Sequence, residues 1–584
     1  MMRRFLPWYL LVLACLGPGW AHAEEKTVPA TALVADDAIL VLQVANPKAL
    51  IERAYEPRVV AFVESLPPYK EAMAKDEVKQ ALSMVQFFES KHNAKLPELL
   101  GKLVGGGITL AVGPNDSNLL IVDAEDAQLL TEIHDFFRTI AKTEAVKKGD
   151  ASRVASAVYR GVEGWAFAPG DSHAIIGTRL LFSNKPETIK AAIDRQLDYT
   201  GDSQKGSRFQ TLTASQAGSQ HQITLFADMK VLKQVPGFAQ GMKQDDNPLT
   251  RLLFAPFLAA LQDATWVTAG LNLTGEELAI DVNADRASAE ATALNSFALP
   301  VESGKGAMPN LAVPGQIAAI SLYRDLHEFY ARKDELFPDR TSGLIFFENM
   351  MGIFFSGKDL TNEVLAETLP DMRVVVAEQR YDEKTGTPAM KLPGFAVVLQ
   401  LQDPAKFQEV MEEAWQKAIG LVNFTRGQKA LPGLIIRNTD HNGVHYTSSY
   451  FSVADEDDKN AVDIRFNFQP ALAVSGDRLI LSSSDALTRD LIDALKEQQE
   501  KGVTPEEGKH SLFELKSAPL AAVLESNRET LIRQNMVEDG KSREEAEKEV
   551  AGIFLLLKHL TELKFEAETK ADQSRVSIAL KYEL

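Results

Sequence analysis

Asp171, Ser172 and His173 set a carboxylate, a hydroxyl and an imidazole side by side behind Pro169-Gly170. These are the groups of a hydrolytic triad, and one esterase family carries its nucleophile in a Gly-Asp-Ser motif. That nucleophile lies near the mature N-terminus, after a first strand. Here the segment falls between two hairpin strands, where Pro-Gly-Asp-Ser reads as a turn by composition. A triad is an arrangement in space, and adjacency along a chain is no evidence for one. No catalytic residue is assigned.

Gly352-Ile-Phe-Phe-Ser-Gly357-Lys358 has the glycine and lysine spacing of a phosphate-binding loop. Asp359 stands where such a loop needs Ser or Thr for magnesium, and bulky side chains fill the places where backbone amides must approach phosphate. A helix ending with Gly357 as its cap explains the block better. It aligns roughly with Phe87-Phe88-Glu89-Ser90-Lys91, which lacks the glycines.

Ten histidines occur, with no i, i+4 pair around a glutamate as zinc hydrolases have. His441 and His445 are four apart, but Asn442-Gly443 between them reads as a turn into a strand. The acidic run Asp455-Glu456-Asp457-Asp458 lacks the central Gly and closing Glu of a calcium loop, and reads as a solvated hairpin tip. Phe136, Phe137, Phe254, Phe257, Phe354, Phe355 and Trp415 recur at helical spacing in apolar company, as helix-to-sheet packing requires. No metal, cofactor or binding residue is assigned.

The elements that would position these residues come in two sets. AIIGTRLLFSNKPETIKAAID near residue 174 and AVSGDRLILSSSDALTRDLID near residue 473 say the same thing. Gly177, Arg179, Leu180, Ser183, Ile193 and Asp194 face Gly476, Arg478, Leu479, Ser482, Ile492 and Asp493. Each block is a strand, a glycine turn, a second strand and a helix.

The correspondence extends along the chain. The strand from Ala38 and Asn46-Pro47 match the strand from Gln316 and Arg324-Asp325, and long helical stretches follow at about 56–92 and 331–357. Then come strand pairs from Ile108 and Asn118, against Arg373 and Gly394. Asp126 and Asp403-Pro404 open the next helices as caps. Leu249 to Gln262 with its following hairpin matches Ser542 to His559 with the last one, and Ser542 with Glu545 spells a capping box.

Hairpins require antiparallel pairing. The order predicts an α+β fold of two tandem related domains, each a mainly antiparallel sheet with helices packed on one face. The expected division is a signal peptide over 1–23, a first repeat over 24–298, a linker over 299–315 and a second repeat over 316–584.

Arg3 and Arg4, the apolar stretch Phe5 to Leu16 and Ala21-His22-Ala23 read as a secretory signal peptide. The alternative is lipidation at Cys15, since Val12-Leu13-Ala14-Cys15 is similar to a bacterial lipobox and would anchor the chain to a membrane. Cys15 is the only cysteine, so cleavage after Ala23 leaves no disulfide, thiolate or cysteine ligand. The net charge of −19 becomes −21 once Arg3 and Arg4 are removed, a field that repels phosphate backbones and excludes nucleic acid. Past the leader no apolar run is long enough to span a bilayer.

The opening Ala35-Asp36-Asp37-Ala38-Ile39-Leu40 and the Gly177 to Ser183 block resemble a family of exported, internally duplicated bacterial proteins of planctomycete type, a domain of unknown function. The resemblance covers nearly the whole mature chain. It implies export and an α+β fold, and transfers no site residue. The expected function is a non-enzymatic protein, periplasmic or extracellular, that binds an envelope protein or ligand or has a structural role. The alternative is an exported hydrolase with its site at the junction of the repeats.

Overall fold

A computed structural model describes residues 28–150, 153–167, 170–200, 208–209, 212, 221–241, 247–286, 295–300, 302–381, 386–452, 462–570 and 572–583. The leader, Cys15 and the acidic run 455–458 lie outside these residues. The chain divides into two compact units, one reaching Ala239 and including Thr265–Val282, the other made of Gln240–Ala264 and Asn283–Glu583.

The first unit holds β1 (Leu40–Val44), β2 (Gly107–Val112), β3 (Asn118–Asp123), β4 (Ala155–Tyr159), β5 (Val162–Ala166), β6 (Ser172–Ile176), β7 (Arg179–Ser183), β8 (Ile223–Asp228), β9 (Trp266–Leu273) and β10 (Glu277–Asp285), the last belonging to it up to Val282. Their order across the sheet is β4-β5-β6-β7-β3-β2-β1-β8-β9-β10. The registers from β4 through β9 are antiparallel. Its helices are α1 (Pro47–Ala54), α2 (Pro57–Ser65), α3 (Pro67–Met73), α4 (Asp76–His92), α5 (Leu96–Val104), α6 (Ala127–Lys147) and α7 (Pro186–Leu197), with shorter turns of helix before α1 and after α7.

Consecutive apolar residues in the strands require cover on both faces. Ile121, Ala174 and Leu181 point to one side, where Ile189, Ala192 and Ile193 of α7 seal them. Leu120, Val122, Ile175 and Leu180 point to the other, against Leu99 and Leu103 of α5, Leu129 and Ile133 of α6, and Phe88 of α4. The α+β class and antiparallel sheet are as the sequence predicts. The helices, expected on one face, flank both, because runs such as Leu119-Leu120-Ile121-Val122 are apolar at every position rather than at alternate ones.

The second unit repeats the plan. It contains α8 (Pro248–Asp263), α9 (Leu326–Ala331), α10 (Thr341–Phe354), α11 (Pro404–Gly427), α12 (Asp485–Glu500), α13 (Ser517–Ser526), α14 (Arg528–Glu538) and α15 (Arg543–His559). Its strands are β11 (Gly306–Ala307), β12 (Gln316–Leu322), β13 (Thr368–Ala377), β14 (Gly394–Leu401), β15 (Leu434–His441), β16 (Val444–Phe451), β17 (Ala471–Ser475), β18 (Arg478–Ser482), β19 (Glu506–Glu507), β20 (Lys509–Lys516), β21 (Leu560–Thr569) and β22 (Gln573–Tyr582). The sheet runs β15-β16-β17-β18-β14-β13-β12-β20-β21-β22, strand for strand the order of the first unit, and β11 pairs with β19 apart from it.

Two features differ from the division read in the sequence. Residues 240–264, placed there in the first repeat, belong to the second compact unit. The segment over 299–315 is packed: Leu311 and Val313 join the core formed by Val375, Val398, Ile480 and α12, and Gly306-Ala307 pairs with Glu506-Glu507.

The placement of α8 has a specific cause. Pro256 sits inside it, and a proline has no N–H to offer the carbonyl four residues earlier. That carbonyl, Leu252 O, accepts instead from Arg324 Nε at 2.6 Å. Arg324 also donates to Leu253 O, Tyr323 O, His510 O and Ser511 Oγ. All five guanidinium donors are thereby used. The side chain is 0% exposed, none of these acceptors is charged, and burial brings its pKa down to about 9.

Arg324→Met should therefore destabilise the second unit by about 3 kcal/mol or more, because several buried acceptors lose their donor together at about 1–3 kcal/mol each. Denaturant unfolding read by circular dichroism measures it, and a loss under about 1 kcal/mol would show that α8 is held by packing alone.

Candidate functional site

The residues singled out for chemistry resolve into turns and caps. Gly170 has φ 86°, and Asp171 Oδ1 accepts from Phe167 N at 2.8 Å, closing the turn before β6. Ser172 Oγ donates to Asp171 O. His173 points to the opposite face of the strand and is buried. Serine and imidazole thus diverge, as neighbours on a strand must.

The glycine–lysine block ends α10. Gly357 N donates to Gly352 O at 2.7 Å, and Ser356 and Gly357 have φ of 57° and 80°. This is the six-to-one bond of a helix stop. Ser356 Oγ is bound by Glu413 and Lys417 of α11. In the first unit α4 stops the same way, with Asn93 at φ 48° and Ala94 N donating to Glu89 O.

His441 and His445 do not converge on a common point. His441 Nε2 is 2.8 Å from Asp493 Oδ1, and His445 Nδ1 is 3.0 Å from Asp440 Oδ1. The first contact belongs to a repeated device. Asn442 and Gly443 have φ of 47° and 78°, Arg160 and Gly161 have 48° and 84°, and both pairs form the tight two-residue turn that needs two left-handed residues. In each unit that turn docks on the block's aspartate: His441 and Asn442 on Asp493, Tyr159 and Arg160 on Asp194. The other repeated residues serve architecture too. Arg179 is paired with Asp123 at 2.6 Å and Arg478 with Asp371 at 3.4 Å, and Ser183 and Ser482 accept from the amide two residues on.

One cluster was not legible in the sequence. His134 on α6 meets His173, with the two Nε2 atoms 3.1 Å apart. Phe182 stacks on His173 and Phe167 meets it edge to face, and Trp165 and Phe167 lie against His134. Asp135 lies 3.6 Å from His134 Nδ1, Arg138 pairs with Asp135 and covers Trp165, and Glu163 acts on His134 at longer range. Desolvation, with the neighbouring His134, pushes His173 down to about 3; desolvation also lowers His134. Burial thus favours the uncharged form of both rings, and the short contact requires one Nε2 to donate and the other to accept. Among the described residues no group of three or more His, Cys, Asp or Glu side chains could hold a metal.

Ser511 and His510 are also bonded, at 3.0 Å. Both are buried, and Ser511 Oγ accepts from Arg324 while His510 O accepts from it too, so the pair supports the guanidinium. A hollow of about 260 Å³ lies on the second unit's sheet, lined by Lys509, Glu566, Ala567, Glu568, Arg575 and Ser577. Lys509 Nζ is held there by Glu506 and Glu566.

The most unusual surface is α10. None of its side chains is buried. Leu344 and Met351, with Phe355 beyond the helix, lean on a core of Tyr330, Leu360, Phe407 and Leu479, and Glu348 is tied to Lys333 at 3.2 Å. On the far side Phe346 is 71% exposed, Ile353 70% and Ile345 51%, with Phe347 and Met350 near 40%. Scaled to the ~200 Å² such side chains present, these five leave roughly 500 Å² of apolar surface in water. That is the upper end of what single chains show. In the matching excursion of the first unit α2 likewise has no buried residue, and Leu82 and Phe87 of α4 are exposed, although Phe88 of α4 and the residues of α5 pack into the core.

No family model matches the chain, and no curated protein matches it. Among solved structures it is similar in part to TP0453. Crystal form IV is 12% identical, with 44% of this chain and 81% of that one covered. Form III is 12% identical over 48% and 90%, and form I is 13% identical over 48% and 88%. Each has a TM-score of 0.23, too low to bear on fold or function.

The histidine pair makes stability depend on pH with a definite sign. A histidine whose folded pKa lies below its unfolded 6.5 binds its proton more readily when unfolded, so stability is full above 6.5 and is lost as pH falls. Between about pH 6.5 and 5 the first unit should lose up to about 1.4 kcal/mol per pH unit through His173. His173→Phe should flatten that slope in denaturant titrations; an unchanged slope would place the proton uptake elsewhere.

Proposed function

We propose that this chain is an exported, non-enzymatic interaction protein whose working surface is the outward face of α10. The observation that carries the reading is a helix of 14 residues with no buried side chain and with Phe346, Met350 and Ile353 turned to water. Exposed apolar groups in such a row lower the solubility of a free chain, and they persist in soluble proteins where something binds them. Exposed Leu82 and Phe87 on α4, in the corresponding excursion of the first unit, support the reading. The leader read in residues 1–23 supports export. Among the described residues no helix is long and apolar enough to cross a membrane, so the exposed face is read as a docking surface.

Phe346→Asp and Ile353→Asp should leave folding stability within about 0.5 kcal/mol of the parent, since neither side chain leaves a core. Leu360→Ala, in the cluster beneath, should cost about 2–5 kcal/mol. A photo-crosslinking residue at position 346 should form adducts in the envelope of producing cells that the same residue at exposed Glu500 does not. If position 346 gives no adduct, or if the aspartate variants unfold the chain, α10 is a structural helix and the reading fails.

A further inference from the structure

Resting on that reading, we infer that the occupant of the α10 face is α10 of a second copy of this chain, packed antiparallel across a two-fold axis. A two-fold contact uses one patch twice, so residue i must meet residue j and j meet i. The face fits that demand by its spacing. Phe346 and Ile353 are seven residues apart on one stripe, with Asn349 and Met350 midway between them. An axis through Asn349 and Met350 lays Phe346 of each chain against Ile353 of the other. It also brings the two Asn349 amides together, where a polar residue within an apolar seam fixes register.

The area supports the same occupant. A 14-residue helix is about 21 Å long. Two faces of roughly 500 Å² bury at most about 1,000 Å² in all, the range of weak, transient interfaces rather than permanent ones. The result is a dimer that forms and dissociates with concentration.

Charge separates this occupant from a lipid surface. Helices that lie in a membrane interface are rich in Lys and Arg along their polar face. On α10 the one ionised residue is Glu348, held by Lys333 on the inward side. The whole chain carries −19, which repels anionic lipid. Two copies repel each other as well, but only through the general field, which salt screens over about 8 Å at physiological ionic strength. The contact face carries no charge to be screened. Association should accordingly tighten as salt rises, the opposite of an interface built on ion pairs.

The test is sedimentation of the full chain from about 1 μM to about 1 mM, at about 0.05 and about 0.5 M salt. The expected result is a mass rising from one chain to two, with the midpoint at lower concentration in high salt. Phe346→Asp and Ile353→Asp should each hold the mass at one chain while circular dichroism is unchanged. With Cys15→Ser removing the sole native thiol, Asn349→Cys should form a disulfide-linked dimer under mild oxidation, and Glu500→Cys should not. A single-chain mass throughout, with no cross-link at 349, overturns the inference. If α10 is then protected from hydrogen exchange by zwitterionic phospholipid vesicles, the occupant is lipid and the docking reading survives. If neither a second copy nor vesicles protect it and position 346 forms no adduct in cells, both readings fall.

Discussion

The pairing of β1 on both of its edges is the constraint from which the first unit follows, and β12 plays the same part in the second. β1 is bonded to β2 on one side and β8 on the other, as β12 is to β13 and β20. A strand flanked on both edges is fixed in register, because a slip of one residue would turn its apolar set to the wrong face. Its neighbours are antiparallel and could be joined by short hairpins. The chain instead leaves β1 at Val44 and returns at Gly107, and leaves β12 at Leu322 and returns at Thr368. Both excursions are helical. The strand pairing is complete without them, so parts of each, α2 and α10, bury no side chain, while α4 and α5 close one face of the first sheet.

The second consequence of that order is a sheet with no dry side to spare. Ile480 and Leu479 are successive residues of β18, yet they belong to different cores, one under α12 and the other under α9 and α11. A fully apolar strand of this kind says that both faces are covered without saying by what. The sequence shows α7 and α12 plainly through their repeated blocks. That α4, α5 and α6 close the opposite face follows from packing among residues far apart in the chain.

Local chemistry was legible and tertiary chemistry was not. Asn46, Asp126 and Asp403 cap the helices they precede, and Ser542 with Glu545 forms both bonds of a capping box. These are contacts within four residues, which spacing alone can specify. Gly357 likewise ends its helix as its position implies. The His134–His173 contact joins residues 39 apart, and Arg324 reaches Leu252 across 72. Neither pair has a motif. Pro256 was the one available clue to Arg324, since a proline within a helix advertises an acceptor in need of a donor. The apolar content of α10 was legible, its exposure was not: a run such as Leu344-Ile-Phe-Phe reads as core, and only the sheet order shows that it lies outside one.

The excursions can also be seen as cassettes. Val44 stands directly opposite Ile108 in the ladder, and Leu322 opposite Met372. The first insertion therefore begins and ends about one rung apart, across a gap of about 5 Å, whereas the second ends at Thr368, four residues up β13 from the rung that joins Leu322 to Met372. A segment whose two ends meet in that way can be lengthened, shortened or exchanged while the ladder beneath keeps its pairing. Two units with one strand order thus offer a socket at the same place in each ladder. Within the excursions α2 and α10 could diverge in length and surface without any change to the sheet, whereas α4 and α5 are tied to it by the core they close.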